Sequence, residues 1–424
     1  MKSDSGLRTT RSVRTVAAIA LAAVLAPLPA FAGDDPSIRS TDSAGTAYAV
    51  HSRAATVAQP RAGARLTSTG GCADATAPGV EVCLAVDTAK RSSKAGADRR
   101  AAAAVPQWCQ QLGTGATSML RTEACTVSPG TLTVRRTQSG VTRVTGLMRF
   151  TVYQHTTTSV TSPVWTHQVT VTADFVSGDA KGTEVRGVAD CSGECADHSQ
   201  SFPLATLSAS GASVSGESSF EWPVEFDERG TATPWWTLSF RAPPIAEPHP
   251  LDVPTAAEVR CDNELPGVSS PGCVFAASVP VITWYSSALP AYGRHIKEAQ
   301  ASGLPGSPGS GRPLHRLTNP AFQEVNRATS CPSSLPRPSD KSCDEYPFAS
   351  TYEGGYTGGG TGGRTFEWCE IADSDTHRIG RTGPGFSACM IDEEENSGAG
   401  RELNTLLYIP YRVLDNDPFH VEIQ

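Results

Sequence analysis

The chain carries little charge. Asp, Glu, Lys and Arg together make 18% of its 424 residues, and the balance leans acidic, with a formal net charge of −8. Such a chain has no overall field that would capture a polyanion or an anionic membrane, so any such contact must come from local residues. No apolar run after residue 28 is long enough to cross a bilayer. Zinc-type spacing is missing as well. The nearest approach is Cys191-Ser-Gly-Glu-Cys195, which has no second cysteine pair or histidine partner and reads as a small disulfide loop. A G-x-x-x-x-G-K-[ST] phosphate loop is also absent, which excludes the common nucleotide-triphosphate cradle.

What is present begins with an address. Residues 1–32 have the three parts of a secretory signal: Lys2, Arg8, Arg11 and Arg14, then an apolar core over 16–28, then Ala30-Phe31-Ala32 as the cleavage site. The expectation is an exported protein with no membrane anchor after cleavage. Twelve cysteines fit an oxidising compartment. Their order suggests six local pairs, 72/83, 109/125, 191/195, 261/273, 331/343 and 369/389, although spacing alone does not establish connectivity.

The length allows two or more domains. Residues 33–105 are rich in Ala, Ser, Thr, Arg and Gly and read as a low-complexity leader or linker. From 106 to 250, β-branched and aromatic residues alternate with Ser and Thr between closely spaced turns, which predicts an all-β, sandwich-like domain. Its histidines (His155, His167, His198) have no acidic partners at ligand spacing. Trp222, Trp235 and Trp236 are candidates for a glycan platform, although core packing is their commoner use. Residues 251–284 form a Pro-rich connector, and 285–424 read as an α+β domain. In it, 292–300 are expected to form a short helix, 305–338 to be loop-like, and the glycine run 358–363 to form a hairpin tip or a loop over a site.

Two stretches in the last domain carry chemistry. Residues 343–355, Cys-Asp-Glu-Tyr-Pro-Phe-Ala-Ser-Thr-Tyr-Glu-Gly-Gly, place a carboxylate pair at the start of a half-buried strand and a glycine pair at its end. Residues 395–403 place Asn396 ahead of Gly398-Ala-Gly400 and a helical run of leucines. At ~3.3 Å per residue, Asp344 and Glu353 lie at opposite ends of a straight strand and cannot share a ligand. An antiparallel return instead brings Asn396 beside Asp344 and Glu345.

These residues resemble the secreted sporulation-type deoxyribonucleases of the NucA/NucB family, in their Asp-Glu-aromatic-Pro…Glu-Gly-Gly and Asn-x-Gly-Ala-Gly segments and in an upstream His295-Ile296. The resemblance covers about 285–424. It departs from the pattern in an insertion at about 358–389 and in the triplet Glu393-Glu394-Glu395. It implies a ββα-metal-like hairpin and helix core that binds one Mg²⁺ or Mn²⁺ and hydrolyses DNA. The expected roles are Asp344 as general base, Glu345 as its partner or a ligand, Asn396 and Glu402 as metal ligands, and Glu353 as a catalytic or hairpin-bracing group. His295 is expected to be structural. The domain holds twelve Lys and Arg against eighteen Asp and Glu. Weak, salt-sensitive, sequence-nonspecific binding through Arg364, Arg378, Arg381 and Arg401 is therefore expected from a monomer. The reading from another class is a secreted adhesive or glycan-binding sandwich, touching cell surfaces through the β domain, with an inactive C-terminal domain. A glycosidase pair at Asp344 and Glu345 ranks low, since adjacent strand residues face opposite ways and cannot flank one bond.

Overall fold

Long alternating runs build the larger half of the molecule. In the computed structural model, Glu123–Gln138, Val141–Ser159 and Ser162–Gly178 form an antiparallel meander. The structure describes residues 40–41, 47–52, 55–57, 71–74, 78–86, 105–223, 228–244, 247–255 and 257–424, all within one compact unit spanning 37–424. The signal segment expected over 1–32 lies outside the described residues.

The meander is the centre of a nine-stranded sheet that faces a six-stranded one built around Thr183–Gly193 and Arg229–Arg241. Alternate side chains from both sheets meet in one core. Leu132, Met148, Phe150 and Val171 come from one side, and Trp236, Leu238, Phe240 and Val253 from the other. Phe150 and Phe240 close the gap with ring centroids 4.8 Å apart. This is the expected sandwich. Trp222 and Trp236 are core residues at 1% and 0% exposure, which leaves Trp235 alone partly exposed among the three candidates for a platform. His167 is also a core residue, held by Thr156 and Gln154, and burial pushes its imidazole down to about 3.

The expected leader and connector both contribute strands. Gly71–Asp74 and Val80–Val86 extend the nine-stranded sheet, because Val80-Glu-Val-Cys-Leu-Ala-Val86 buries alternate side chains against the core. Val259–Asp262 and Gly272–Val274 complete the six-stranded sheet. Short strands in weakly periodic surroundings leave little signal until their partners are known.

The smaller half holds two sheets. Pro280–Trp284 runs parallel to Pro418–Ile423 and pairs on its other edge with Ala47–Ser52. Lys341–Tyr346 and Ser387–Asp392 form the antiparallel pair of the second sheet. The motif strand is shorter than expected, ending at Tyr346 because Pro347 has no N–H for the ladder. Pro290–Ala301 is the expected helix. Pro320–Ser330 is a helix where the sequence suggested loop. Asn319 caps its N-terminus by accepting from Ala321 and Phe322, with Pro320 at the first helical position. All six disulfides pair as their order suggests. Among the described residues no helix is long and apolar enough to cross a membrane.

Candidate active site

Register sets the geometry of the motif. Asp344 pairs with Cys389 and Lys341 with Asp392, so the chain leaves the second strand directly into helix Glu393–Glu402 beside the start of the first. Asp392 caps that helix by accepting from the backbone of Glu394 and Glu395. The helix therefore starts three residues before Asn396. Asn396 sits at the end of its first turn. Its Nδ2 donates to Ser342 Oγ at 3.0 Å, so its amide oxygen is the atom left for another partner.

A cleft of about 510 Å³ opens between these elements, lined by Asp344, Glu345, Asn396, Arg316, Arg327 and Tyr408 among others. Asp344 is 4% exposed, with its Oδ2 2.6 Å from His295 Nδ1, and the imidazole's Nε2 lies 3.0 Å from Ser387 Oγ. The order Asp344, His295, Ser387 is that of a hydrolase triad, but Ser387 is fully buried and gives its hydroxyl to Tyr346 O. No substrate reaches that oxygen. The array holds the Asp344 carboxylate in place from below. Glu345, also in the cleft lining, is half-buried, and burial together with its neighbour Asp344 pushes its carboxyl up to about 7.

The two helices that bear on the site are locked together. Glu395 Oε2 accepts from the backbone N–H groups of Ala291 and Tyr292, 2.9 Å each, and so caps the helix that carries His295. The acidic triplet Glu393-Glu394-Glu395 thus contributes one built contact.

Two expected site residues are not brought to the cleft. Glu353 accepts from His315 Nδ1 at 2.7 Å and from the His315 backbone at 2.8 Å, bracing the turn after the motif strand. Glu402 accepts from Trp284 Nε1 at 2.6 Å, on the side of the helix that faces the core. The helix periodicity that put Glu402 within reach of Asn396 also turned its side chain away. The glycine run likewise lines a separate depression with Thr329, Asp375, Arg381 and Phe386. Arg364 is fully buried and spends its guanidinium on Ser302, Gly383 and Pro384, so it cannot meet a substrate. Arg378 pairs with Asp375, Arg381 donates to Gly363 O, and Arg401 is exposed.

The sequence reading missed what the Pro320–Ser330 helix supplies. Arg327 and Gln323, one turn apart, line the cleft. Asn326, fully buried, donates to Ala349 O and Thr351 O and accepts from Tyr356 and Thr357 N–H, pinning the loop after the motif strand. The Gly354-Gly355 pair follows from this packing. A Cβ on Gly354 would lie 2.4 Å from Asn326 Nδ2, and one on Gly355 2.2 Å from Ser330 Oγ. The Asn319-Pro320 start signal was the cue available in the sequence.

The candidate metal donors in the cleft lining are oxygens: the carboxylates of Asp344, Glu345 and Glu393, and side-chain amides that include Asn396. Cys343 is tied to Cys331, and both ring nitrogens of His295 are engaged. Such a set suits a hard divalent cation rather than zinc or copper. Among the described residues the one close cluster of three His, Cys, Asp or Glu groups is Cys72, Glu81 and Cys83, whose sulfurs form a disulfide and cannot ligate. Residues 319–422 match the family model described as Deoxyribonuclease NucA/NucB. No curated protein matches the chain.

Proposed function

We propose, for a chain whose C-terminal domain is of the NucA/NucB family, a secreted endodeoxyribonuclease that uses Mg²⁺ or Mn²⁺ to hydrolyse extracellular DNA with little sequence specificity. The observation that carries this reading is the convergence of Asp344, Glu345 and Asn396 on one cleft within the matched segment. The strand, strand, helix order around it agrees with a ββα-metal core. Asp344 and the Asn396 amide oxygen would hold the ion, and His295 keeps Asp344 oriented for that task. When bound, the ion supplies charge neutralisation at the phosphate.

Glu345 is the better general base. A carboxyl raised to about 7 exchanges a proton near neutral pH, whereas Asp344 is committed to His295. Arg327, exposed at the cleft, is placed to meet a phosphate oxygen. Six disulfides agree with export, and the reading is of a monomer.

A second reading concerns the sandwich. Partly exposed Trp235 lines a shallow depression with Ser192, Thr233 and Asp252, a set of groups that suits a sugar face. It would serve as a glycan or cell-surface contact, whether or not the C-terminal domain is active.

The test is digestion of plasmid DNA, and of RNA in parallel, by the oxidised full chain with Mg²⁺, Mn²⁺ or EDTA. Asp344→Ala and Asn396→Ala are run beside it. Nicking that needs metal and is lost in both variants supports the enzyme and its site together. An inert wild-type chain would sink the nuclease reading and leave the sandwich as the functional part.

A further inference from the structure

The β-sandwich reaches the floor of the cleft through one segment. The π-helical turn Leu403–Tyr408 supplies Leu403, Asn404 and Tyr408 to the cleft lining. Arg316, also in the lining, lays its guanidinium on the Tyr408 ring at 4.4 Å and donates to Val413 O. The residues just beyond, 411–417, are gripped by the sandwich.

Arg412 enters a socket there. It is fully buried and left-handed, at φ 43°, and all five of its N–H donors are matched. Nε and Nη2 take both carboxylate oxygens of Asp262, Nη2 also takes Asp262 O, and Nη1 takes Val160 O and Ser270 O. The socket has been cleared for it, since a Cβ on Gly272 would sit 2.8 Å from Arg412 Nη1 and 2.2 Å from Val160 O. Around it, Arg121 donates to Tyr411 O and Arg412 O, and Arg260 holds both oxygens of Asp417. Arg121, Arg260 and Asp262 of the sandwich thus hold the seven residues 411–417, through the carbonyls of Tyr411 and Arg412 and the side chains of Arg412 and Asp417.

We propose that the β-sandwich is a positioning element of the cleft, with Arg121, Arg260 and Asp262 holding residues 411–417 so that Tyr408 and Arg316 keep their places in the lining. The sandwich would then be part of the working site rather than an attached module. In its absence Arg412 would lose all the acceptors of its five N–H groups, and Asp417 would lose the guanidinium groups of Arg121 and Arg260.

The proposal rests on the nuclease reading only for its kinetic arm. Gly272→Ala fills the socket and Arg121→Lys removes the forked donor while keeping the charge. Both are made in the full chain. The first readout, independent of activity, is amide hydrogen exchange by peptide. At least tenfold faster exchange over 403–414 is expected, with the hairpin 341–346 and 387–392 unchanged. The second is cleavage of a short single-stranded oligonucleotide well below each variant's Tm, with KM raised about five- to tenfold and kcat within threefold. Unchanged exchange over 403–414, or an equal rise throughout the molecule, would overturn the proposal. An inert parent chain with the local exchange effect intact would remove the nuclease reading and leave the positioning role standing.

Discussion

His295 and Asp344, forty-nine residues apart in sequence, meet at 2.6 Å with both side chains buried. A charge-assisted contact of this kind orients the carboxylate, and removing either partner leaves the other unpaired in a poorly hydrated place. His295→Ala is expected to lower kcat about a hundredfold and to cost roughly 3 kcal/mol of stability. Ser387→Ala removes two hydrogen bonds, with His295 Nε2 and to Tyr346 O, costs about 1–3 kcal/mol and leaves cleavage within threefold of wild type. Kinetics and thermal melts on the two variants measure both. A collapse of activity in Ser387→Ala would instead make that serine a participant.

Glu345 makes the pH dependence readable. Its folded-state carboxyl is raised to about 7, so the folded chain holds a proton that the unfolded chain has already released. The associated stability is therefore present below the ordinary glutamate range and is lost as pH rises through about 7. Cleavage should move the opposite way, rising as Glu345 ionises, with that limb displaced to lower pH by a divalent cation at Asp344. Glu345→Gln is expected to flatten the stability decline between pH 5 and 8 and to abolish the rising limb of kcat/KM. Melts and rates across that range decide it. A wild-type limb surviving in the variant would return the base role to Asp344.

Glu353 tests whether a motif residue outside the cleft acts in chemistry. It holds the His315 ring and backbone, so Glu353→Ala strands a partly buried N–H and should cost about 1–3 kcal/mol while kcat stays within threefold. Urea titration and initial rates on the same preparation separate the two effects. A fall in kcat of a hundredfold or more, without matching destabilisation, would put Glu353 back in the catalytic machinery.

Much of this site is legible in the chain because its parts are local. Asp344 and Glu345 stand at the head of a strand whose pattern is visible, and Asn396 follows the return strand within four residues, so pairing alone brings them together. The disulfides close short loops and follow cysteine order for the same reason. Glu402 failed because helix spacing says how far a residue stands along an axis, while Trp284, 118 residues away, decided where its carboxylate pointed. Arg364 failed likewise, since a cation in a loop-like stretch reads as exposed until the backbone carbonyls that enclose it are known.

Composition and short motifs thus settle which groups are available: carboxylate and amide oxygens in two short segments, a framework of local disulfides, and a β-rich N-terminal half. What distinguishes the two carboxylates was decided only by the packed molecule. Side-by-side Asp344 and Glu345 are chemically alike on the chain. They become different when one is tied to a buried imidazole and the other is left half-buried at a cleft wall with its ionisation displaced. The grip of Asp262 on Arg412 belongs to the same class, spanning 150 residues through a socket that exists only because Gly272 carries no side chain. Ionisation and orientation depend on solvent exclusion and on partners from remote segments, and both come into being only when the chain has closed upon itself.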